Sequence, residues 1–377
     1  MLGNRVFGLD VLRATAISLV VVSHCSYMFY ETTDNPILLG IRSLGAIGVD
    51  LFFVLSGYLI GGILLKQIEK NRTSFKDLFW FWKRRWFRTL PNYYLVLIIN
   101  ILIVLIANED LPSKLLLYFP FLQNFVGPHP DFFTEAWSLS IEEYSYLILP
   151  LSLYFGFAIF KRQKSKQHIF LWITVALIAI QFLFKIWYYV ETDVASYKAW
   201  SASFRKVVPY RLDAIYYGFI LIYCVRKFSD FFKKNRKVLF LVSLIIFLLT
   251  HFIIFRYNVL PQTHLAFYVF AYLPLIAVCC ALTFPLATKL KPPKGLHKLV
   301  FFVSTRSYAI YLLNYSIVFL NIKKVFNISA RPVPVKVLAM LLFLILTILL
   351  SELLYRFFEK PILDYRDKKF VRPKSNL

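Results

Sequence analysis

An arginine and a histidine stand eleven residues apart in FGLDVLRATAISLVVVSHCSYMF, a stretch otherwise rich in Leu, Val and Ala. At 100° per residue, Arg13 and His24 differ by about 20° after three full turns, so they share one face of a helix about 16 Å apart along its axis. Asp10 lies one turn before Arg13 and can pair with it. A neutral imidazole takes a proton from a hydroxyl at ordinary pH. A buried histidine serves equally well as a hydrogen bond between helices, and spacing leaves both readings open.

Further ionisable groups stand beside or inside other apolar runs. In FFTEAWSLSIEEYSYLILP, Ser140-x-x-Glu143 fits a helix capping box, which gives Glu143 a structural role. Glu142 has no such role, and could accept a proton, orient His24 or bind sugar hydroxyls. Asp50 opens DLFFVLSGYLIGG, where Gly57, Gly61 and Gly62 read as close-packing positions. Arg211 and Asp213 open PYRLDAIYYGF; two apart on a regular helix, they point to different sides and need separate partners. Arg306 opens STRSYAIYLLN, and Glu359, just before Pro361, reads as a helix-end group.

The elements that must position these groups follow from composition. The 377 residues are 59% apolar and 17% charged, with 39 Phe, 24 Tyr and 7 Trp. Soluble domains run at about 45–50% apolar and about 25% charged, and no domain of this size hides the difference from water. The fold class is therefore all-α, a polytopic helical membrane protein. Disorder is excluded by the hydrophobicity, and a β-barrel by the long unbroken apolar runs.

Ten runs are close to the roughly 20 residues a span needs, near 11–30, 44–65, 90–107, 137–160, 168–190, 209–225, 238–256, 264–287, 299–320 and 335–356. Leu115–Phe125 is too short to cross, and lies at the interface or re-enters. With the N-terminus inside, 30 of the 44 Lys and Arg fall on the inner side, 10 on the outer, and Arg13, Lys185, Arg211 and Arg306 within spans. That bias predicts N-in and C-in. It also accounts for the net charge of +24, which in a soluble protein would suggest nucleic acid. The four cysteines (Cys25, Cys224, Cys279 and Cys280) all lie in apolar runs without metal-ligand spacing, so no metal is expected. The first run carries Arg13 and His24 and no small-x-small site, unlike a cleaved signal peptide. One membrane domain, residues 1–377, is expected, with no repeat and no separate soluble domain.

Within it, residues 66–89 form a cytoplasmic basic amphipathic segment. In TSFKDLFWFWKRRWFRTLP the apolar residues Phe75, Leu78, Phe79, Trp82 and Trp86 keep helical spacing against Lys76, Lys83, Arg84 and Arg88. Such a helix anchors to anionic membrane lipids or, through arginine forks, binds phosphates.

Read in order, these pieces resemble the acyltransferase-3 family of bacterial integral-membrane acyltransferases. The likeness runs over nearly the whole chain: Arg13-x10-His24, GVDLFFVLSGYLI from Gly48, RRWFRTLP with Arg85 and Arg88, WSLSIEEYSYLILP from Trp137, RLDAIYYG from Arg211, STRSYAIYLL from Ser304, and FEKPILDYR near the end. Seven pieces in one order form a specific signal where each alone is weak.

The resemblance implies transfer of an acyl group, usually acetyl, from cytoplasmic acyl-CoA to a hydroxyl of a cell-surface or lipid-linked glycan, in the inner membrane of a bacterium. Acetyl-CoA or another acyl-CoA is then the co-substrate. His24 and Arg13 become the essential pair, Arg85 and Arg88 the donor site, and Glu142 and Glu143 part of an acidic motif. Glu142 is grouped with the catalytic residues; Glu143, Arg211, Asp213 and Asp50 are expected to bind substrate. His24 would either deprotonate the hydroxyl for direct attack or carry the acyl group itself, with Arg13 or Arg211 steadying the donor or the oxyanion. Asn314 stands where relatives often carry a histidine. The chain stops at Leu377 without the hydrolase-like domain some relatives carry, so it is expected to finish the transfer itself or to use a separate envelope partner.

The rival from another class is a proton-coupled transporter or flippase of glycan precursors, which intramembrane Arg, His and Glu would also suit. The absence of a repeat and the basic aromatic segment speak against it. Release of CoA separates the two.

Overall fold

The computed structural model describes residues 5–29, 36–160, 165–293 and 295–369. In lipid a backbone finds its hydrogen-bond partners only within its own segment, so the apolar runs become helices. In chain order these are α1 (Phe7–Ser26), α2 (Pro36–Glu69), α3 (Phe75–Ile106), α4 (Ala136–Ile159), α5 (Lys166–Glu191), α6 (Val208–Arg211 and Asp213–Lys227, broken at Leu212), α7 (Ser229–Arg256), α8 (Phe267–Ala287), α9 (Leu296–Phe326) and α10 (Val333–Lys369). No strand occurs among the described residues. Eight of these helices are long and apolar enough to cross a membrane. The other two, α4 and α6, are more polar or broken. The protein is an all-α polytopic membrane protein.

Helix α3 differs from expectation. The basic aromatic segment and the following apolar run form one helix of 32 residues that passes straight through Pro91. Proline removes one ladder bond, but the turns before it are held by packing: Leu78, Phe81 and Trp82 are buried, and Trp82 Nε1 donates to the Tyr146 carbonyl at 2.9 Å. Ser74 and Asp77 form a reciprocal capping box at its start.

The predicted capping box at Ser140-x-x-Glu143 does not exist. Helix α4 begins four residues earlier, at Ala136, so Ser140 lies within it and bonds the Ala136 carbonyl while accepting from Gln123 Nε2 at 2.8 Å. Glu359 is likewise no helix end. It sits in a π turn, Tyr355–Glu359, that runs on into Lys360–Lys369, and it is buried.

Helix α2 is the central post, packed on α1, α6 and α8. A Cβ added to Gly57 would lie 2.0 Å from the Ile215 carbonyl oxygen, and one on Gly218 would lie 2.3 Å from that of Val54. Only glycine lets α2 and α6 approach this closely, as the small-residue spacing suggested.

From Arg85 to the C-terminal end of α3 is about 31 Å of helix, yet Glu142, which Arg85 holds, is only about 9 Å from the start of α4. The chain between them must double back along α3 by about 20 Å. It does so as residues 107–135, which re-enter the bundle and settle the choice left open for Leu115–Phe125. Tyr93 Oη donates to the Tyr118 carbonyl at 2.8 Å, and Asn124 Nδ2 donates to the carbonyls of Trp137 and Lys206 at 3.0 and 2.6 Å. These bonds satisfy backbone groups that would otherwise be orphaned in an apolar interior.

Candidate active site

Four arginines collect at the N-terminal end of α1. Asp10 takes both arms of Arg5, at 2.6 and 2.7 Å, and the Ser304 hydroxyl at 2.6 Å. Arg13 makes only longer bonds from Nη1, 3.4 Å each to Asp10 and Ser304. The expected Asp10–Arg13 pair is present, but Arg5 is the stronger partner. Arg13 keeps 18% of its side chain accessible and lies within electrostatic reach of Arg5, Arg85 and Arg88. Arg88 is deep in the molecule yet exposed, so it lines a recess, and it has no hydrogen-bond or ion-pair partner among the described residues. With Arg88 unpaired and Arg13 making only long bonds, this recess suits a phosphate-bearing ligand.

The acidic motif serves this end of the site. Glu142 accepts from Arg85 Nη2 at 3.1 Å, Tyr146 Oη at 3.0 Å and Ser56 Oγ at 3.3 Å, and the Arg85 guanidinium lies 4.2 Å from the Tyr146 ring centroid. Glu143 accepts from Thr89 Oγ1 at 2.9 Å. Glu142 therefore aims Arg85 and does not orient His24, contrary to one expectation, because its bonds go to Arg85, Tyr146 and Ser56 while His24 is held by Asn314.

His24 occupies the other end. Helix α1 stops at Ser26, so the histidine lies in its last turn, where Asn314, Tyr315 and Phe319 of α9 pack against it. Its Nδ1 is 2.5 Å from Asn314 Oδ1, and its ring centroid is 4.7 Å from that of Tyr315. Helices α1 and α9 run side by side: Arg13 meets Ser304 on one level and His24 meets Asn314 on the other, eleven and ten residues further along. Between Arg13 and His24, on the same stripe, lie Ile17 and Val20, both buried.

Arg211, Asp213 and Asp50 form a closed network. Arg211 bonds Asp50, and Lys185 bonds Asp213. Because the helix breaks at Leu212, Arg211 Nη1 also comes within 3.8 Å of Asp213 Oδ1, closer than a regular helix would allow. All four residues are buried, and none presents an open face for substrate. Two cations and two carboxylates balance, as burial in a low-dielectric interior requires. Arg306 pairs with Glu352 at 2.6 Å.

Sequence reasoning missed Glu135. It precedes α4, is buried, and accepts from the Ser316 amide at 3.0 Å and the Ser316 hydroxyl at 2.9 Å. A carboxylate directly before an apolar run was the available signal. Two groups in the connecting segments were also unforeseen. Burial, aided by Arg205, holds Lys206 down to about 8, so it sheds its charge above that pH. Burial, aided by Lys206, holds His129 down to about 3, so it is neutral in ordinary conditions. No group of three potential metal ligands occurs among the described residues.

Comparison with known proteins places the chain in a family. The chain is 28% identical over 390 residues to the O-acetyltransferase OatA of Staphylococcus aureus, covering 97% of this chain and 58% of the relative. It is 27% identical over 387 residues to the peptidoglycan O-acetyltransferase OatA of Listeria monocytogenes, covering 94% and 55%. The chain thus spans little more than half the length of these relatives. No solved structure matches. Residues 6–356, which hold Arg13, His24, Arg85, Arg88 and the acidic motif, match the acyltransferase domain that defines the acyltransferase-3 family, and the chain belongs to that family.

Proposed function

We propose that this protein is an O-acetyltransferase that moves an acetyl group from acyl-CoA on the inner side of a bacterial inner membrane to a glycan hydroxyl of the cell envelope, with both chain ends inside. The observation that carries this reading is the placing of Arg13 and His24 on one stripe of α1, the first in a cationic recess and the second held by Asn314. Arg13, Arg85 and Arg88 hold the CoA phosphates, with Arg85 aimed by Glu142. The thioester arm runs along α1 past Ile17 and Val20 toward His24. There the imidazole accepts the hydroxyl proton as the alkoxide attacks the thioester carbon. The C–O bond forms, the C–S bond breaks, and the proton passes to the departing thiolate. The relatives' names support an envelope glycan, peptidoglycan first, as the acceptor.

The test is transfer of label from acetyl-CoA in inside-out vesicles, with release of free CoA followed in parallel. Wild type should label membrane glycan. Arg88→Ala should raise KM for acetyl-CoA by about 10-fold or more, the worth of a charge-assisted hydrogen bond. A carrier would ignore CoA, so vesicles that release none, together with purified protein that binds no acetyl-CoA, would sink the reading.

A further inference from the structure

Helix α9 opens into a π turn over Asn314–Phe319, and Asn314 at its start is fully buried. Both amide hydrogens of Asn314 are committed: Nδ2 donates to the Ile310 carbonyl at 2.7 Å and to the Tyr311 carbonyl at 2.9 Å. Turning the amide over would set its oxygen against those two carbonyl oxygens, so Oδ1 is the atom that faces Nδ1 of His24 at 2.5 Å. An amide oxygen only accepts. The hydrogen of that bond therefore belongs to His24 Nδ1, and the lone pair of the neutral ring is on Nε2. Nε2 makes no hydrogen bond among the described residues, and His24 remains partly accessible.

The turn is itself held from α4. Glu135 Oε1 accepts both the backbone N–H and the hydroxyl of Ser316, two residues past Asn314. Tyr311 Oη is shared with Ser138 Oγ at 2.7 Å and donates to the Glu135 carbonyl at 3.3 Å. Lys206 is the charged group whose field reaches His24, and Tyr315 and Phe319 lie against its ring.

We propose that Asn314 is a positioning residue which locks His24 as the Nδ1–H tautomer, leaving Nε2 as the reactive nitrogen, and that Glu135 clamps the turn that carries it. The inference rests on His24 being the base or nucleophile of the proposed transfer, and it applies to both routes, since each needs an unprotonated nitrogen.

Two measurements test it. The first is the tautomer itself, read by solid-state nitrogen NMR on histidine-labelled protein in lipid, with the His24 signal assigned by its loss in His24→Gln. Wild type should show a protonated Nδ1 and a bare Nε2, and the reverse overturns the proposal. This readout needs no acyl transfer, so it stands apart from any failure of the functional reading. The second is kinetic. Asn314→Leu should lower kcat by about 10²-fold or more, as loss of the correct tautomer does in other acid–base sites, with KM for acetyl-CoA unchanged. Asn314→Asp keeps an acceptor for Nδ1–H, so it should hold kcat within about tenfold at high pH and move the acid limb of the rate profile up by about one unit. A wild-type kcat in Asn314→Leu, or an acid limb in Asn314→Asp that stays in place, overturns it. If the leucine variant fails to fold, the aspartate variant and the tautomer still decide.

Discussion

His24→Ala should abolish acetyl transfer while leaving the protein inserted in the membrane. General acid–base catalysis contributes about 10²- to 10⁴-fold, and a residue that also carried the acyl group would contribute more. The structural loss is smaller: one hydrogen bond goes and Asn314 Oδ1 is left buried and unsatisfied, a cost of about 1–3 kcal/mol. His24→Gln separates the two readings that spacing left open. Glutamine can still donate to Asn314, so a purely structural histidine would be replaced with activity retained, whereas a base would not. Equal insertion of all three proteins must be shown by immunoblot. Neutral imidazole is the working form, so with chemistry limiting the rate should fall only once the pH is low enough to protonate His24. Normal transfer by His24→Gln would remove His24 from the chemistry.

The second large effect concerns folding. Arg211→Leu strands Asp50 without its cation and leaves Asp213 with Lys185 alone. Removing one partner from a buried ion pair costs about 3–5 kcal/mol, a large part of the stability of an ordinary protein. The expected result is poor yield and a Tm lower by many degrees, measured by thermal unfolding in lipid nanodiscs. Arg211→Met combined with Asp50→Leu removes both charges and should recover most of that loss. The double variant also isolates any chemical role: if Arg211 steadied the oxyanion, it would be stable and inactive. An unchanged Tm in Arg211→Leu would show that the network is not a structural pin.

Much of this was legible before any coordinates. The fold class followed from composition, and the Arg13–His24 stripe from helical spacing, because both depend on local periodicity. The failures share a cause. Ser140 and Glu143 had the letters of a capping box, but α4 begins at Ala136, where Gln123 and Asn124 from the re-entrant segment tie down its first turn. Glu359 looked terminal because Pro361 follows, yet α10 continues through a π turn and buries it against Asn92, at 2.9 Å. Asn314 read as a departure from a family pattern, and its partner lies 290 residues away. Each of these depends on which segment packs beside which, and no window of neighbouring residues contains that information.

Ile17 and Val20, buried between the arginine recess and the histidine, have an electrical consequence. Each elementary charge taken across a membrane exchanges about 2.3 kcal/mol with a potential of 100 mV, and an apolar layer on α1 concentrates that drop between the two ends of the site. In the proposed reaction the CoA phosphates stay with Arg13, Arg85 and Arg88. What crosses the layer is the uncharged thioester arm, and the acyl group and the proton change places beside His24, so no net charge moves. Turnover should then be indifferent to voltage, with equal rates in vesicles clamped at zero and at a large potassium diffusion potential. A rate that tracked the potential would mean that a charged species crosses that layer.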